Sequence, residues 1–261
     1  MLYRILDFMD TTLNIIGYVS TIIVLVECII KLYSYVTKKR YVKMVLGFNK
    51  KRCFVSQAVY TNTTIPSRDV VSYSSVQAFQ MINEMLNNVN YVIKPFSNSF
   101  EGENIIHIGG PAANIHVNAL LAERIQRIRF CTTQKDQSIH QNLNLNQSCI
   151  EYSKEDTRCF KIGDKVLKLD SKIRDYGIFI KIPYNHREGI DYTTHIIFGG
   201  WANGTLKAFE FFTKNYKMIA RKFKKSKYCF AIPINRIDNS FALITEKDII
   251  DLTDEFFERN K

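Results

Sequence analysis

Two segments of the sequence combine residue types that could bind an anion. They read NIIHIGGPAAN (104–114) and THIIFGGWANGT (194–205), and each contains an apolar run, two glycines and a predicted helix start. Glycine adopts backbone conformations that other residues resist, and a helix N-terminus offers unpaired N–H groups to a phosphate. We therefore predict a ligand site, with a nucleotide as the expected ligand, at Gly109, Gly110, Asn114, Gly199, Gly200, Asn203, Gly204 and Thr205.

A purely structural explanation of the same residues is also open. Neither segment has the G-x-G-x-x-G spacing of a dinucleotide site or the Gly-Lys-Ser/Thr of a Walker A loop. Tight packing at a strand-to-helix turn would account for the glycines. Helix capping would account for Asn114, Asn203 and Thr205.

The residues that could catalyse a reaction form no known motif. His107 and His195 each precede a glycine pair, but a buried histidine is more often a hydrogen-bonded core residue than a catalyst. Glu84 could serve a nucleoside-cleaving glycosidase, or lie at the edge of a buried helix face. The sequence lacks H-E-x-x-H and G-x-S-x-G, and its six cysteines lack metal-ligand spacing. We expect no catalytic residue, metal or cofactor, and free thiols in a reducing compartment.

A basic run follows the second glycine pair. At helical spacing one face of this run carries Lys214, Lys217, Arg221 and Lys225. The run could bind the phosphates of a nucleic acid, or a protein partner, and the interleaved Tyr216, Phe223 and Tyr228 could stack on bases. A solvated surface, or one that faces lipid headgroups, is the alternative.

Residues 12–36 are apolar over a length that can cross a bilayer. Asp7 and Asp10 precede the run and no A-x-A site follows it, so we predict a retained anchor and not a signal peptide. Basic residues cluster after the run, from Lys38 to Arg52. The positive-inside bias then predicts a single-pass protein of the inner (plasma) membrane with a cytoplasmic C-terminal domain.

The predicted anchor has a polar face formed by Ser20, Glu27, Lys31 and Ser34, and we expect the membrane function to depend on the first three. A charge at mid-depth costs about 2–3 kcal/mol on insertion scales, so Glu27 calls for an explanation. Glu27 and Lys31 could pair at i, i+4, with the lysine reaching toward the headgroups. Alternatively, several copies could assemble with this face inward and line a path for ions or water.

The remaining pattern predicts an α/β domain. We assign 1–50 to the anchor and its basic flank, and 51–261 to a Rossmann-like three-layer domain with a mainly parallel sheet and a polar insertion at 132–149. A capping box is expected at Ser74 and Gln77. The predicted strands are 53–60, 91–94, 104–108, 150–153, 158–162, 165–169, 176–182, 195–198, 228–235 and 241–245. Helices are predicted at 74–89, 112–125, from about 205, and at 246–260.

The two glycine segments, following one anchoring helix, resemble the Rossmann-like sensory domains of prokaryotic defence proteins. The plan is similar to membrane effectors of anti-phage systems, including those paired with retrons, and to CARF and SAVED nucleotide sensors. The resemblance implies a dormant effector that senses a nucleotide or nucleoprotein cue, forms a homo-oligomer and then damages the host membrane. The alternative is a membrane-tethered enzyme that acts on a nucleotide or an NAD-like substrate.

Overall fold

The computed structural model describes residues 2–57, 59–61, 69–94, 102–124, 128–133, 150–153, 158–184, 192–237 and 244–257. Two compact units are present, Met1–Tyr41 and Val42–Lys261. Of the predicted insertion, Thr132 and Thr133 end a strand, and 134–149 lie outside the described residues.

The first element is a long helix, α1 (Leu2–Leu46). Within it, Gly17–Leu46 is long and apolar enough to span a membrane. The helix extends ten residues beyond the predicted segment because lysine and arginine are good helix formers. It ends at Gly47, whose left-handed φ of 68° and N–H bond to the carbonyl of Lys43 are typical of a helix C-terminus.

The second unit is built from thirteen strands and four helices in its described residues. The strands are β1 (Arg52–Ser56), β2 (Val59–Thr61), β3 (Asp69–Val71), β4 (Val92–Lys94), β5 (Ile105–Ile108), β6 (Ile128–Thr133), β7 (Ile150–Ser153), β8 (Cys159–Ile162), β9 (Lys165–Lys168), β10 (Arg174–Tyr184), β11 (Tyr192–Gly199), β12 (Tyr228–Asn235) and β13 (Ile250–Asp251). The helices are α2 (Tyr73–Asn87), α3 (Ile115–Arg124), α4 (Ala202–Phe223) and α5 (Thr253–Phe257).

The main sheet has seven strands among the described residues, in the order β13-β12-β10-β11-β5-β1-β4. Strands β11, β5, β1 and β4 pair in parallel, and β10 and β13 run against the other five. The sheet is therefore mainly parallel, as predicted. The prediction that 176–182 continues the parallel pattern into 195–198 is wrong, because β10 and β11 are antiparallel. Only seven residues, 185–191, join them, which is too short for a parallel crossover.

The two faces of this sheet carry different elements. On one face, Ile178, Ile196 and Phe198 pack in one apolar cluster with Val117 and Leu121 of α3. The same cluster contains residues of the smaller sheet, which has the order β7-β6-β8-β9. On the other face, α4 places Phe211 and Phe212 against Phe179, and α2 packs against α4.

Three local predictions are wrong. The N-cap of α2 is Ser72, whose hydroxyl accepts from the N–H of Ser75, so Ser74 and Gln77 form no capping box. The segment 246–260 is not one helix, because a 3-10 turn (Glu246–Asp248), β13 and the short α5 divide it. Ile244 and Thr245 are not in a strand, and 241–243 lie outside the described residues.

Candidate functional site

Both glycine pairs lie at one edge of the main sheet. Strands β5 and β11 are parallel neighbours, and the N–H of Gly109 donates to the carbonyl of Ile197 at 3.1 Å. We call the edge where β1, β5 and β11 end the carboxyl edge. The chain leaves β5 for α3 on one face and β11 for α4 on the other, the arrangement that marks a ligand crevice in open α/β sheets.

The first turn is closed by its own side chains. Gly109 has a φ of 100°, which favours glycine, and a Cβ on Gly110 would lie 2.6 Å from the ring of Phe198. The buried Asn114 caps α3, since its Oδ1 accepts from the N–H groups of His116 and Val117. Its Nδ2 donates to Ser56 and to the carbonyl of Ile108. Packing and capping thus account for these residues.

The second turn holds a carboxylate that belongs to the chain itself. Asp175 accepts from the N–H of Gly200 at 2.8 Å and from the N–H of Trp201 at 3.3 Å. A Cβ on Gly204 would lie 1.9 Å from Asp175 Oδ2, and one on Gly200 would lie 2.8 Å from Oδ1. The amide groups expected to bind an external anion therefore bind Asp175, and the glycines make room for it.

Burial raises the pKa of Asp175 to about 6. The three backbone hydrogen bonds from Gly200, Tyr176 and Trp201, and the charge of Arg236, act in the opposite direction. Near neutral pH this carboxylate is poised close to its titration range.

The remaining polar residues at the start of α4 have internal partners as well. Thr205 accepts from the N–H of Gly199 at 3.0 Å and donates to the carbonyl of Trp201 at 3.4 Å. Asn203 is exposed and accepts from the hydroxyl of Ser74 at 3.5 Å. This contact joins the first turns of α2 and α4. A ligand at the predicted residues stays a prediction.

A cluster of two arginines and the single tryptophan lies beside the second turn. The guanidinium of Arg236 is 4.1 Å from the ring centre of Trp201, and that of Arg158 is 5.6 Å from it. Nη1 of Arg236 is buried and has no hydrogen-bond partner among the described residues. Guanidinium groups bind phosphates and carboxylates well. This cluster, together with the exposed Asn203, is the part of the carboxyl edge best suited to an anionic ligand.

At the opposite, amino edge, the sheet holds the end of α1. His195 Nε2 lies 2.8 Å from the carbonyl oxygen of Leu46, and Lys181 donates to the carbonyl of Met44 at 3.3 Å. Thr193 donates to the carbonyl of Gly47 at 3.2 Å. These three side chains, from β10 and β11, satisfy carbonyls that a helix end leaves without partners.

The protonation of this junction follows from its partners. A carbonyl only accepts, so the hydrogen of His195 is on Nε2, and Nδ1 accepts from the hydroxyl of Tyr228 at 3.5 Å. Burial lowers the pKa of His195 to about 3, so the imidazole is neutral. Burial, with a smaller contribution from Lys225, lowers the pKa of Lys181 to about 8.

The candidate catalytic residues do not converge. His195 is engaged at the amino edge, whereas His107 is buried on the other face, and burial lowers its pKa to about 3. Glu84 is exposed in the last turn of α2, about 18 Å along the helix from the N-terminus at the carboxyl edge. The described residues hold no cluster of potential metal ligands, and their cysteines are free.

One lysine of the predicted basic face is neutralised by an acid. Lys214 pairs with Glu210 at 2.7 Å, while Lys217, Arg221 and Lys225 are exposed. The helix kinks at Asn215, which interrupts the regular spacing. The aromatic residues that could stack on bases, Tyr216, Phe223 and Tyr228, are buried, and we find no support for base stacking by them.

The polar face of α1 has the local pairing that its spacing predicts. Lys31 Nζ lies 3.6 Å from Glu27 Oε2, and both side chains are exposed. Ser20 donates to the carbonyl of Gly17 within the helix. The Glu27–Lys31 pair within one chain does not test whether several copies assemble through this face.

No protein-family model matches the chain, and searches of curated proteins and of solved structures found no match.

Sequence patterns missed Asp175, Arg236 and Lys181. Asp175 and Arg236 are 25 or more residues from the glycine turn that they contact, and no short motif links them. For Lys181 a signal existed. In IFIKIPY (178–184) it is a lone lysine inside an apolar strand, which indicates a buried charge with a specific partner.

Proposed function

We propose that this protein is a membrane-anchored effector of anti-phage defence, whose cytoplasmic domain senses an anionic cue and whose anchor helices then assemble and damage the membrane. The expected cue is a nucleotide or a nucleoprotein. The resemblance of the glycine segments and the anchor to defence effectors supports the biological setting. The domain is proposed to be Rossmann-like.

One observation carries the mechanism: a single strand connects the two ends of the domain. Near the start of strand β11, Thr193 and His195 hold the end of α1. It ends at Gly199 and continues into the turn that Asp175 and Arg236 surround. A ligand that displaces Asp175, or pairs with Arg236, would act on the same strand that holds the helix end.

The ligand chemistry follows from the charges at the carboxyl edge. Because Asp175 occupies the amides of Gly200 and Trp201, an anionic ligand would bind primarily to the guanidinium groups of Arg236 and Arg158. A nucleotide phosphate satisfies such groups with charge-assisted hydrogen bonds.

The membrane step rests on Glu27 and Lys31. Their pair is exposed, and it provides the charged residues of the helix between Gly17 and Val36. In an assembly these side chains, with Ser20, would face inward and give ions a polar path.

A test compares variants of the full chain expressed with and without its genomic neighbours, while a dye reports membrane potential. Glu27→Ala is expected to abolish depolarisation and leave the domain folded. Ile22→Val, on the apolar side of the same helix, should have no effect. Arg236→Met should block the response to the cue and leave insertion of the anchor unchanged.

Two results would contradict the proposal. One is full toxicity of a chain whose anchor cannot insert. The other is an unchanged Glu27→Ala variant, which would favour the alternative, a membrane-tethered enzyme acting on a nucleotide or NAD-like substrate.

A further inference from the structure

Basic side chains gather at the amino edge of the main sheet on both sides of the end of α1. On one side, the chain leaves α1 through Phe48. The centre of its ring lies 5.6 Å from that of His195 and 6.0 Å from that of Tyr91. It then passes Lys50, Lys51 and Arg52 before β1 begins. An open cavity of about 560 Å³ is lined there by Lys50, Lys51, Arg52, Val92 and Lys94.

On the other side, α4 ends in a cationic turn. Lys224, Lys225 and Lys227 are exposed and directly precede Tyr228, the first residue of β12. Tyr228 contacts His195, which holds the carbonyl of Leu46. The turn therefore lies beside the helix end. We call the set Lys50, Lys51, Arg52, Lys94, Lys224, Lys225 and Lys227 the basic edge.

Few acids neutralise the basic edge. Glu103 forms ion pairs with both Lys50, at 3.2 Å, and Arg52. In the parts of the chain that the structure describes, Lys51, Lys94, Lys224 and Lys225 form no ion pair. Exposed lysines that no acid neutralises, gathered at one edge, indicate an anionic partner.

We propose that the basic edge binds the headgroups of anionic lipids. The chain itself brings this edge close to a bilayer, since Val42, the first buried residue of the domain, is only four residues after Lys38, where the apolar run has ended. Each lysine near an anionic surface strengthens the attraction, within a distance of about 10 Å at ordinary ionic strength.

Nucleic acid is the competing partner, and the structure disfavours it. The aromatic residues interleaved with these lysines, Phe223 and Tyr228, are packed in the core and present no ring for stacking. In the described part of this edge, the surface can bind phosphate groups, but these two buried rings cannot hold bases.

The test uses the full chain in nanodiscs of phosphatidylcholine, with or without phosphatidylglycerol, and measures the rate of lysine acylation by mass spectrometry. In the anionic discs, acylation at Lys51, Lys94, Lys224 and Lys225 is expected to fall about fivefold. High salt should restore it. Lys172, exposed in the turn before β10, is the internal control and should not change.

A second measurement counts the phosphatidylglycerol molecules retained by the protein in native mass spectrometry. The triple variant K51Q/K224Q/K225Q should retain fewer, and the charge-matched control K165Q/K168Q/K172Q should retain the wild-type number. Equal acylation in both kinds of disc overturns the proposal. So does protection of the same lysines by an oligonucleotide in neutral discs at physiological salt.

Discussion

The imidazole of His195 donates a hydrogen bond to the carbonyl oxygen of Leu46, the last residue of α1, with a distance of 2.8 Å from Nε2 to the oxygen. The donor belongs to β11, the central strand of the seven described in the main sheet, and the acceptor is 149 residues away along the chain. The ring is held in turn by Tyr228 and packs against Phe48. The end of the N-terminal helix is thus an integral part of the α/β core.

Replacing His195 with alanine is expected to destabilise the domain by about 2–4 kcal/mol, because it leaves a cavity and an unpaired buried carbonyl. Urea unfolding of the full chain in detergent, followed by circular dichroism, measures the change. Lys172→Ala, at an exposed turn, should stay within about 0.5 kcal/mol of wild type. Equal stability of His195→Ala and wild type would show that the bond to Leu46 contributes little.

Acid should weaken the fold through His195. Its pKa is about 3 in the folded chain, against an ordinary value of 6.5. The contribution of His195 to the free energy of unfolding is complete above pH 6.5. It is lost as the pH falls toward 3, because the unfolded chain then binds a proton that the folded chain does not. His195→Gln is expected to flatten the dependence of the urea midpoint on pH in this range. An unaltered slope would contradict a buried neutral imidazole.

Asp175 should act with the opposite sign. Burial raises its pKa from 3.8 to about 6, so the folded chain keeps a proton that the unfolded chain releases. Its contribution is present below pH 3.8 and is lost as the pH rises through 6. Asp175→Asn should therefore make the midpoint rise more steeply between pH 4 and 6 than in wild type. The same direction of change in Asp175→Asn and His195→Gln would refute one of the two assignments.

How much the sequence predicts differs between elements and contacts. Strands such as β12 and helices such as α4 were predicted because an apolar period reports the burial of each element by itself. The direction of β10 was mistaken, since an apolar run is the same in either direction. The seven-residue connection to β11 was the usable signal.

The candidate site was predicted in outline only. The two glycine pairs do lie at one edge of the sheet, at the ends of the parallel strands β5 and β11. That these two strands are direct neighbours could not be read from the sequence, since five strands separate them along the chain. That Asp175 fills the second turn depends on how β10 pairs with β11, and that pairing brings together residues far apart in sequence. Glycine motifs alone could not distinguish an internal carboxylate from an external phosphate, because the same N–H groups bind both.

Gly204 should tolerate no side chain. A Cβ there would lie 1.9 Å from Asp175 Oδ2, whereas one on Gly17 of α1 would meet nothing within 4 Å. We expect Gly204→Ala to destabilise the domain by roughly 2–4 kcal/mol, as a core clash with a buried charge does. Gly17→Ala, inside α1, should leave unfolding of the domain unchanged. Thermal unfolding of the two variants side by side checks this, and equal stability would mean that Asp175 can move away.

Alkali should strengthen the junction through Lys181. Its pKa is about 8 when folded and 10.5 ordinarily, so between these values the unfolded chain holds a proton that the folded chain has released. Its contribution is complete above pH 10.5 and is lost as the pH falls through 8. Lys181→Met keeps the length of the side chain and removes the titration, so the urea midpoint should lose its rise between pH 8 and 10. Lys172→Met, at an exposed position, should keep the wild-type rise. If Lys181→Met keeps the rise too, the amine of Lys181 is charged when it donates to the carbonyl of Met44, and this capping hydrogen bond is charge-assisted.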